Sequence, residues 1–351
     1  MRFNFLTSSS KLQHTAACLM QGLHQLGHEI NTNHRPAIVT CNGIYPPFSD
    51  GIPSYVQEVD QFKDGLIIAD ISENISNNQS AGAARLNELN KLSEIRNFVL
   101  INMNDSVNFH SYPPQAHVFH GHYNSLLPRK GKTYPMGFGL SDEIITFAKN
   151  SINHKPRKLS FVHNFRPSER QGVRQTLMLS LLPNLEKYFN IDTSFTQPAD
   201  YPNQLISNQA VFCYGGNLYT DIRLNSKLAA SSGSEIFDFA VRSNTNREAV
   251  VFRFDSWRLY EAALFGAAPI TLHFEKYGLE TGANPRPWIE YIPVEFDKIE
   301  SLPLEIASRL KEDPDFLIKV GQNARRWVLD NHSPVATAQR FIRKVQELKL
   351  I

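Results

Sequence analysis

The chain carries little cysteine. Its 351 residues hold three, Cys18, Cys41 and Cys213, odd in number and far apart. No C-x-x-C pair occurs, which excludes a zinc knuckle and a disulfide framework. Long hydrophobic runs are also missing. Nothing approaches the roughly 18 apolar residues of a membrane span. The opening apolar run, residues 3–6, turns polar at Thr7-Ser8-Ser9-Ser10 and is too short for a secretory signal. A reducing cytoplasm is the expected compartment. Excess charge of one sign is absent, with 36 Lys+Arg against 34 Asp+Glu and a net charge of +2. That balance excludes a histone-like or acidic-tail protein and leaves room for a local basic patch. Glycine (18) and proline (20) are ordinary, so collagen-like and low-complexity readings fail.

Several common chemistries fail on spacing. Gly131-Lys132-Thr133 ends like a P-loop, but the glycine needed five positions earlier is Leu126. No G-x-G-x-x-G follows a strand, and no G-x-S-x-G marks a nucleophile elbow. His28-Glu29 lacks the second histidine of a zinc protease. His120 and His122 alternate along one segment with no third ligand nearby, so no metal is expected.

What is present is enough apolar material for real cores: 42% hydrophobic residues, 11% of the chain aromatic. At about 100–200 residues per domain, the length suggests two domains or one large one. Residues 3–6 read as a strand. Leu12, Ala16, Leu19, Leu23 and Leu26 recur on one helical face, and Gly27 ends that helix. Residues 37–41, 65–70, 98–101 and 118–120 read as buried strands. Continuous apolar strands alternating with helices imply a parallel sheet covered on both faces. Residues 134–139 look turn-rich and 154–158 are basic and broken by Pro156, which places a domain boundary in this zone. A second α/β series follows. It has strands at 159–162, 211–214, 249–254 and 268–272. Its helices run over 174–189 (broken at Pro183), 258–265, 304–311, 314–330 and 334–348.

The most informative stretch is Arg253 to Ile270. A strand enters a polar loop, a helix starts near Trp257 with Asp255 or Ser256 as N-cap, and Gly266 ends it before the next strand. Such a unit aims a helix N-terminus at the C-terminal edge of a parallel sheet, where α/β proteins bind ligands. The helix N-terminus attracts an anion, and Arg253 and Arg258 add positive charge, so a diphosphate suits the place. Glu261, one turn in, can accept hydrogen bonds from vicinal ribose hydroxyls.

The run Ser256-x-Arg258-Leu259-Tyr260-Glu261-Ala262-x-x-x-Gly266-x-x-Pro269-Ile270 resembles the donor-binding signature of GT-B glycosyltransferases, closest to exostosin-like and bacterial members. Residues 23–30, the strand at 159–162 with Arg174 and Leu177, and Ala324-Arg325-Arg326-Trp327-Val328 with His332-Ser333 resemble other parts of that fold. The resemblance implies two Rossmann-like α/β domains facing a cleft: an acceptor-side domain over 1–140, a donor-binding domain over 155–333, and a helix over 334–351 crossing back to the first.

It also implies an activity, the transfer of a sugar from a nucleotide diphosphate sugar to a hydroxyl of a glycan or lipid-linked acceptor. No cofactor, metal or nucleic acid is expected, and a peripheral membrane contact is left open. The expected donor-binding residues are Glu261, Arg258, Ser256, Arg253, Arg166, Arg170, Tyr214 and Gly215. The position eight before Glu261 is Arg253, so the glutamate pair of many retaining members is absent and inversion is expected. The general base belongs in the first domain. His122 is the first candidate and Asp50 the second, with His120 and Asp105 in comparable loops. The alternatives are a sugar-nucleotide epimerase of the same architecture and a non-catalytic nucleotide-sugar-binding protein.

Overall fold

The computed structural model describes residues 1–7, 11–12, 14–33, 37–38, 54–71, 98–103, 115–126, 131–152, 156–165, 172–219, 250–252, 254 and 256–351. The chain divides into two compact units. The first comprises Met1–Tyr123, Arg129–Ile145 and Asn331–Ile351, and the second Asn124–Pro128 and Thr146–Asp330.

The first unit is built on seven parallel strands. They are β1 (Arg2–Leu6), β2 (Glu29–Thr32), β3 (Val56–Glu58), β4 (Leu66–Asp70), β5 (Phe98–Asn102), β6 (His117–His120) and β7 (Lys132–Pro135). Their spatial order is β7-β6-β5-β4-β1-β2-β3. The middle strands are apolar throughout because both faces are covered: all five residues of β4 and of β5 are buried. Alternate residues share a face, and Ile67, Ala69, Phe98, Leu100 and Val118 meet Leu6, Ile71 and Ala116 in one core cluster. The polar residue inside β1 is satisfied, since Asn4 donates to Asp64 O (3.1 Å) and accepts from Asn31 Nδ2 (3.0 Å).

Helix α1 (His14–Gln25) follows β1 and ends at Gly27, whose φ of 79° is in the left-handed region that glycine reaches without strain. Its last neighbour comes from the far end of the sequence. Helix α10 (Pro334–Glu347) packs along α1 with Gly22 at the contact. A Cβ at Gly22 would stand 1.8 Å from Pro334 O, so only glycine allows this approach. Phe341 of α10 reaches the sheet, edge-on to Phe3 (6.4 Å between ring centres) and tilted against Phe119 (5.0 Å).

The second unit carries a five-stranded parallel sheet made of β8 (Lys158–Val162), β9 (Asn190–Asp192), β10 (Asn208–Phe212), β13 (Ala268–Leu272) and β14 (Ile292–Val294). Its order is β9-β8-β10-β13-β14. A separate antiparallel ribbon joins β11 (Asn217–Tyr219) and β12 (Val250–Phe252). Around the sheet lie α3 (Gly172–Ser180), α4 (Leu182–Leu185), α5 (Tyr201–Ser207), α6 (Trp257–Phe265), α7 (Phe274–Tyr277), α8 (Leu302–Glu312) and α9 (Phe316–His332). The chain passes from the first unit to the second within α2 (Asp142–Ser151) and returns at the end of α9.

Three expectations need correction. The segment read as turn-rich begins inside β7, because Lys132-Thr133-Tyr134-Pro135 sits on a sheet edge, where a proline at the strand end removes no needed donor. The strand expected at 211–214 runs over Asn208–Phe212. Its polar start is tolerated because Asn208 donates to Gln204 O (2.7 Å) and accepts from Ser160 Oγ. The strand expected at 249–254 is not in the parallel sheet, since it pairs with β11 instead. An apolar run states burial and leaves the hydrogen-bond partner undetermined. Of the strand expected over 37–41, Ala37–Ile38 is formed and pairs with Lys11–Leu12; the rest lies outside the described residues.

Candidate functional site

Helix α6 carries the segment singled out in the sequence. Ser256 stands at its N-cap with extended backbone (φ −142°, ψ 133°), and Gly266 closes it at φ 77°. Leu259, Tyr260, Ala262, Ala263 and Phe265 are buried, as an all-round packed helix requires. Glu261 shares that burial, with 2% of its surface exposed. Arg258 lies half-buried one turn before it. Burying a carboxylate costs free energy that must be recovered from specific partners, which marks Glu261 out from a surface ion-pair residue.

Because α6 feeds directly into β13, its N-terminus lies at the C-terminal edge of the second sheet. The residues that follow β8 and β10 gather there. His163 and Phe165 follow β8, and Cys213 and Tyr214 follow β10. His163 Nε2 and the Tyr214 hydroxyl are 2.7 Å apart, and the Phe165 and Tyr214 rings stack at 4.9 Å. The Arg258 guanidinium carbon lies 4.5 Å from the Phe165 ring centre. That of Arg174, the third residue of α3, lies 4.7 Å from the same centre. Val173 in that first turn donates its N–H to Gly216 O (3.2 Å), tying α3 to the loop after β10. Cys213 Sγ donates to Arg258 O (3.2 Å).

The electrostatics agree with this crowding. Burial first, then the Arg258 and Arg174 charges, lower the His163 imidazole to about 4, so it is neutral at physiological pH. The Tyr201 hydroxyl, at the start of α5, is held well above the ordinary phenol range by burial and then by the Glu261 carboxylate, with Arg258 opposing. Burial likewise raises the Cys213 thiol, so it is inert as a nucleophile. The arrangement offers guanidinium donors and a helix N-terminus for an anion, a buried carboxylate for hydroxyls, and stacked rings.

Of the expected donor-binding residues, Glu261, Arg258 and Ser256 lie on or at the start of α6, and Tyr214 meets them through Phe165. Gly215 follows Tyr214 and is buried. Arg253, Arg166, Arg170 and Asp50 lie outside the described residues, as do Asp255 and Asp105. His122 belongs to the first unit, follows β6, and is buried edge-on to Phe138 at 6.3 Å. Its φ of 53° is uncommon for a residue with a Cβ. His120 bonds through Nδ1 to Gly121 O. One D-x-D spacing does occur, Asp313-Pro314-Asp315. There Asp313 accepts from Asp315 N (3.2 Å) and from Lys319 Nζ (2.6 Å), a helix-entry arrangement that already fills the carboxylate.

Sequence reading missed His163, Phe165, Arg174 and Tyr201 as members of this cluster. The first two carried a usable signal, since they follow a parallel strand directly. Arg174 stood in the run that resembles the opening strand and helix of the second domain, which marked its helix and not its place beside Phe165. Tyr201 carried no signal, because α5 brings it in from elsewhere in the sequence.

No known family matches the chain by sequence, and no curated protein does. Solved structures do. An alpha-glucosyltransferase in complex with UDP and a 13-mer DNA containing a central A:G mismatch superposes with a TM-score of 0.51 at 11% identity, over 99% of this chain and 100% of that one. A glycosyltransferase from Rickettsia africae ESF-5 follows at 0.47 and 10%, over 99% of each chain. The fold is that of the GT-B glycosyltransferases. At these identities the likeness concerns fold. Within the GT-B frame, the cluster around Glu261 occupies the C-terminal edge of the second Rossmann-like sheet, the position where open α/β sheets take their ligands.

Proposed function

We propose that this protein is a glycosyltransferase whose second unit binds a nucleotide diphosphate sugar. The observation that carries the reading is the buried Glu261 carboxylate one turn behind Arg258 at the N-terminus of α6. In this reading Glu261 accepts from the ribose hydroxyls, and Arg258 with the helix N-terminus holds the diphosphate. As the glycosidic bond to the diphosphate breaks, charge grows on the leaving oxygen, and these fixed donors stabilise it. The acceptor hydroxyl attacks the anomeric carbon and gives its proton to a base, for which His122 remains the first candidate and Asp50 the second.

The acceptor is a glycan or a lipid-linked glycan, and transfer inverts the anomeric centre. The chemistry needs no cofactor or metal beyond the nucleotide-sugar co-substrate. One structural neighbour was solved with both UDP and DNA. In this chain the near-balanced charge supports a glycan acceptor over a polyanion. No helix among the described residues is long and apolar enough to cross a membrane, and a peripheral contact suits a lipid-linked acceptor.

A thermal-shift panel of UDP, GDP, CMP, ADP and NAD tests the reading on wild type and Glu261→Ala. A ligand that binds the native state raises the midpoint by mass action. Stabilisation by one nucleoside diphosphate, lost in the variant, is the expected result. No shift with any nucleotide, or a shift with NAD alone, would overturn it.

A further inference from the structure

Two guanidinium groups from different helices converge on one aromatic ring. The Arg258 and Arg174 guanidinium carbons stand 4.5 and 4.7 Å from the centre of Phe165. Phe165 itself is 6% exposed and stacked on Tyr214, whose hydroxyl is bonded to His163. The ring is therefore fixed by its neighbours and does not follow the arginines. Long cationic side chains lose rotamer freedom when held in one place, and like charges repel when gathered. Glu261 lies close enough to Arg258 that both act on Tyr201 and Cys213. Among the described residues, Arg258 Nε and the Asn164 Oδ1 next to Phe165 in sequence are buried and meet no hydrogen-bond partner.

We infer that Phe165 is a positioning residue that holds the two guanidiniums in place for a diphosphate, and that Arg174 is the second of its ligands. The inference rests on the donor-site reading above and goes further, because the resemblance at Arg174 marks only a strand and helix of the fold and gives neither residue a ligand role. A planar guanidinium lies flat on a ring and still directs its N–H edge outward, which an ammonium cannot do. Phe165 thus decides where the charge sits, and Arg174 adds a contact that a nucleoside monophosphate has no group to meet. His163 is kept neutral by burial first, and the charges that add to that effect are these two cations.

The test measures affinities by calorimetry for UDP, UMP and uridine, and for GDP, GMP and guanosine. The proteins are wild type, Arg174→Ala, Arg174→Lys, Phe165→Leu and Phe165→Tyr, each with its thermal midpoint recorded. Wild type is expected to prefer one diphosphate over its monophosphate. Arg174→Ala should reduce that preference about ten- to hundredfold, the range for a hydrogen bond to a charged group. Arg174→Lys should restore it only in part. Phe165→Leu should reduce it about three- to tenfold, as for a lost cation–π contact, and leave nucleoside affinity unchanged. Phe165→Tyr keeps the ring and should keep the preference.

A merely structural role for Phe165 predicts equal losses for nucleoside, monophosphate and diphosphate, and that result would overturn the positioning role. An unchanged preference in Arg174→Ala would overturn the ligand role while leaving the donor site standing. If Phe165→Leu does not fold, equal preference in Arg174→Lys and wild type would still refute the stacking argument. Failure of wild type to bind any of these compounds or any nucleotide of the thermal-shift panel removes the donor reading, and this inference with it.

Discussion

The two parallel sheets obey one construction rule and end differently. In the first unit, two of the described residues just beyond the strands make small local contacts. Thr7 after β1 donates its N–H to Asn33 Oδ1 (2.8 Å), and His122 beyond β6 packs edge-on to Phe138. In the second unit the corresponding edge gathers stacked rings, two guanidiniums and a buried carboxylate. Both sheets bury apolar strands alike, and in the second the charged groups sit in the residues after the strands and at the helix starts. A shared scaffold thus says little about chemistry, and the chemistry is read where the strands stop.

The comparison can be broken most forcefully at the tail of the first unit. Gly22→Val would drive a side chain into the Pro334 carbonyl, which is backbone and cannot rotate away. We expect a loss beyond the about 1–3 kcal/mol usual for overpacking, read as a large drop in thermal midpoint. The corresponding glycine of the second unit is Gly321, where a Cβ would stand 2.3 Å from Gly266 O. Gly321→Val should disturb the end of α6 and weaken nucleotide binding, whereas Gly22→Val acts on a unit that holds none of the Glu261 cluster. Equal effects of the two on nucleotide affinity would show that the units do not act separately.

Phe341→Ala should also cost substantially, about 3–5 kcal/mol for truncating a buried aromatic side chain. Chemical denaturation would measure it. A cost under 1 kcal/mol would mean that α10 contributes little to the first sheet.

Acid sharpens the comparison further, because among the described residues each unit buries a histidine lowered to about 4, His14 in the first and His163 in the second. Unfolded histidine takes up its proton near pH 6.5, and these do so only near 4. Stability from each is present in full above about pH 6.5 and falls as pH drops toward about 4, by a few kcal/mol at most. His14→Gln and His163→Gln should each flatten the slope of urea midpoint against pH between 6.5 and 4. A slope unchanged in both would place the histidines in water. Bound diphosphate should steepen the loss less, since an anion beside Arg174 and Arg258 favours protonated His163.

The smallest effects belong to exposed ion pairs. Removing Arg2–Glu29 in the first unit or Arg309–Glu305 in the second should leave the thermal midpoint nearly unchanged, and the small difference should shrink further in high salt.

Much of the fold was legible in particular residues. The spacing of Ala16, Leu19 and Leu23 marked α1, and Gly27 marked its end. Pro183 separated α3 from α4, and Gly266 stopped α6 where a left-handed residue was needed. These are local signals, set by side-chain period and backbone sterics within a few residues. The partner of β12 was not legible, because β11 lies far off in sequence and apolar content does not name a neighbour. Half of the site was legible for the same reason. Arg258 and Glu261 share one helix and one motif, whereas Phe165 and Arg174 reach them from β8 and α3.

The sequence alone therefore determined the two α/β series, most of their strands and helices, and the helix start that presents Arg258 and Glu261. Tertiary structure decided which strands pair, which glycine admits the C-terminal helix, and which ring stands between the two arginines. The physical reason is that propensity and periodicity act over a turn or two of chain. The pairing of strands and the convergence of charges depend on contacts between segments far apart in sequence, and only packing selects those.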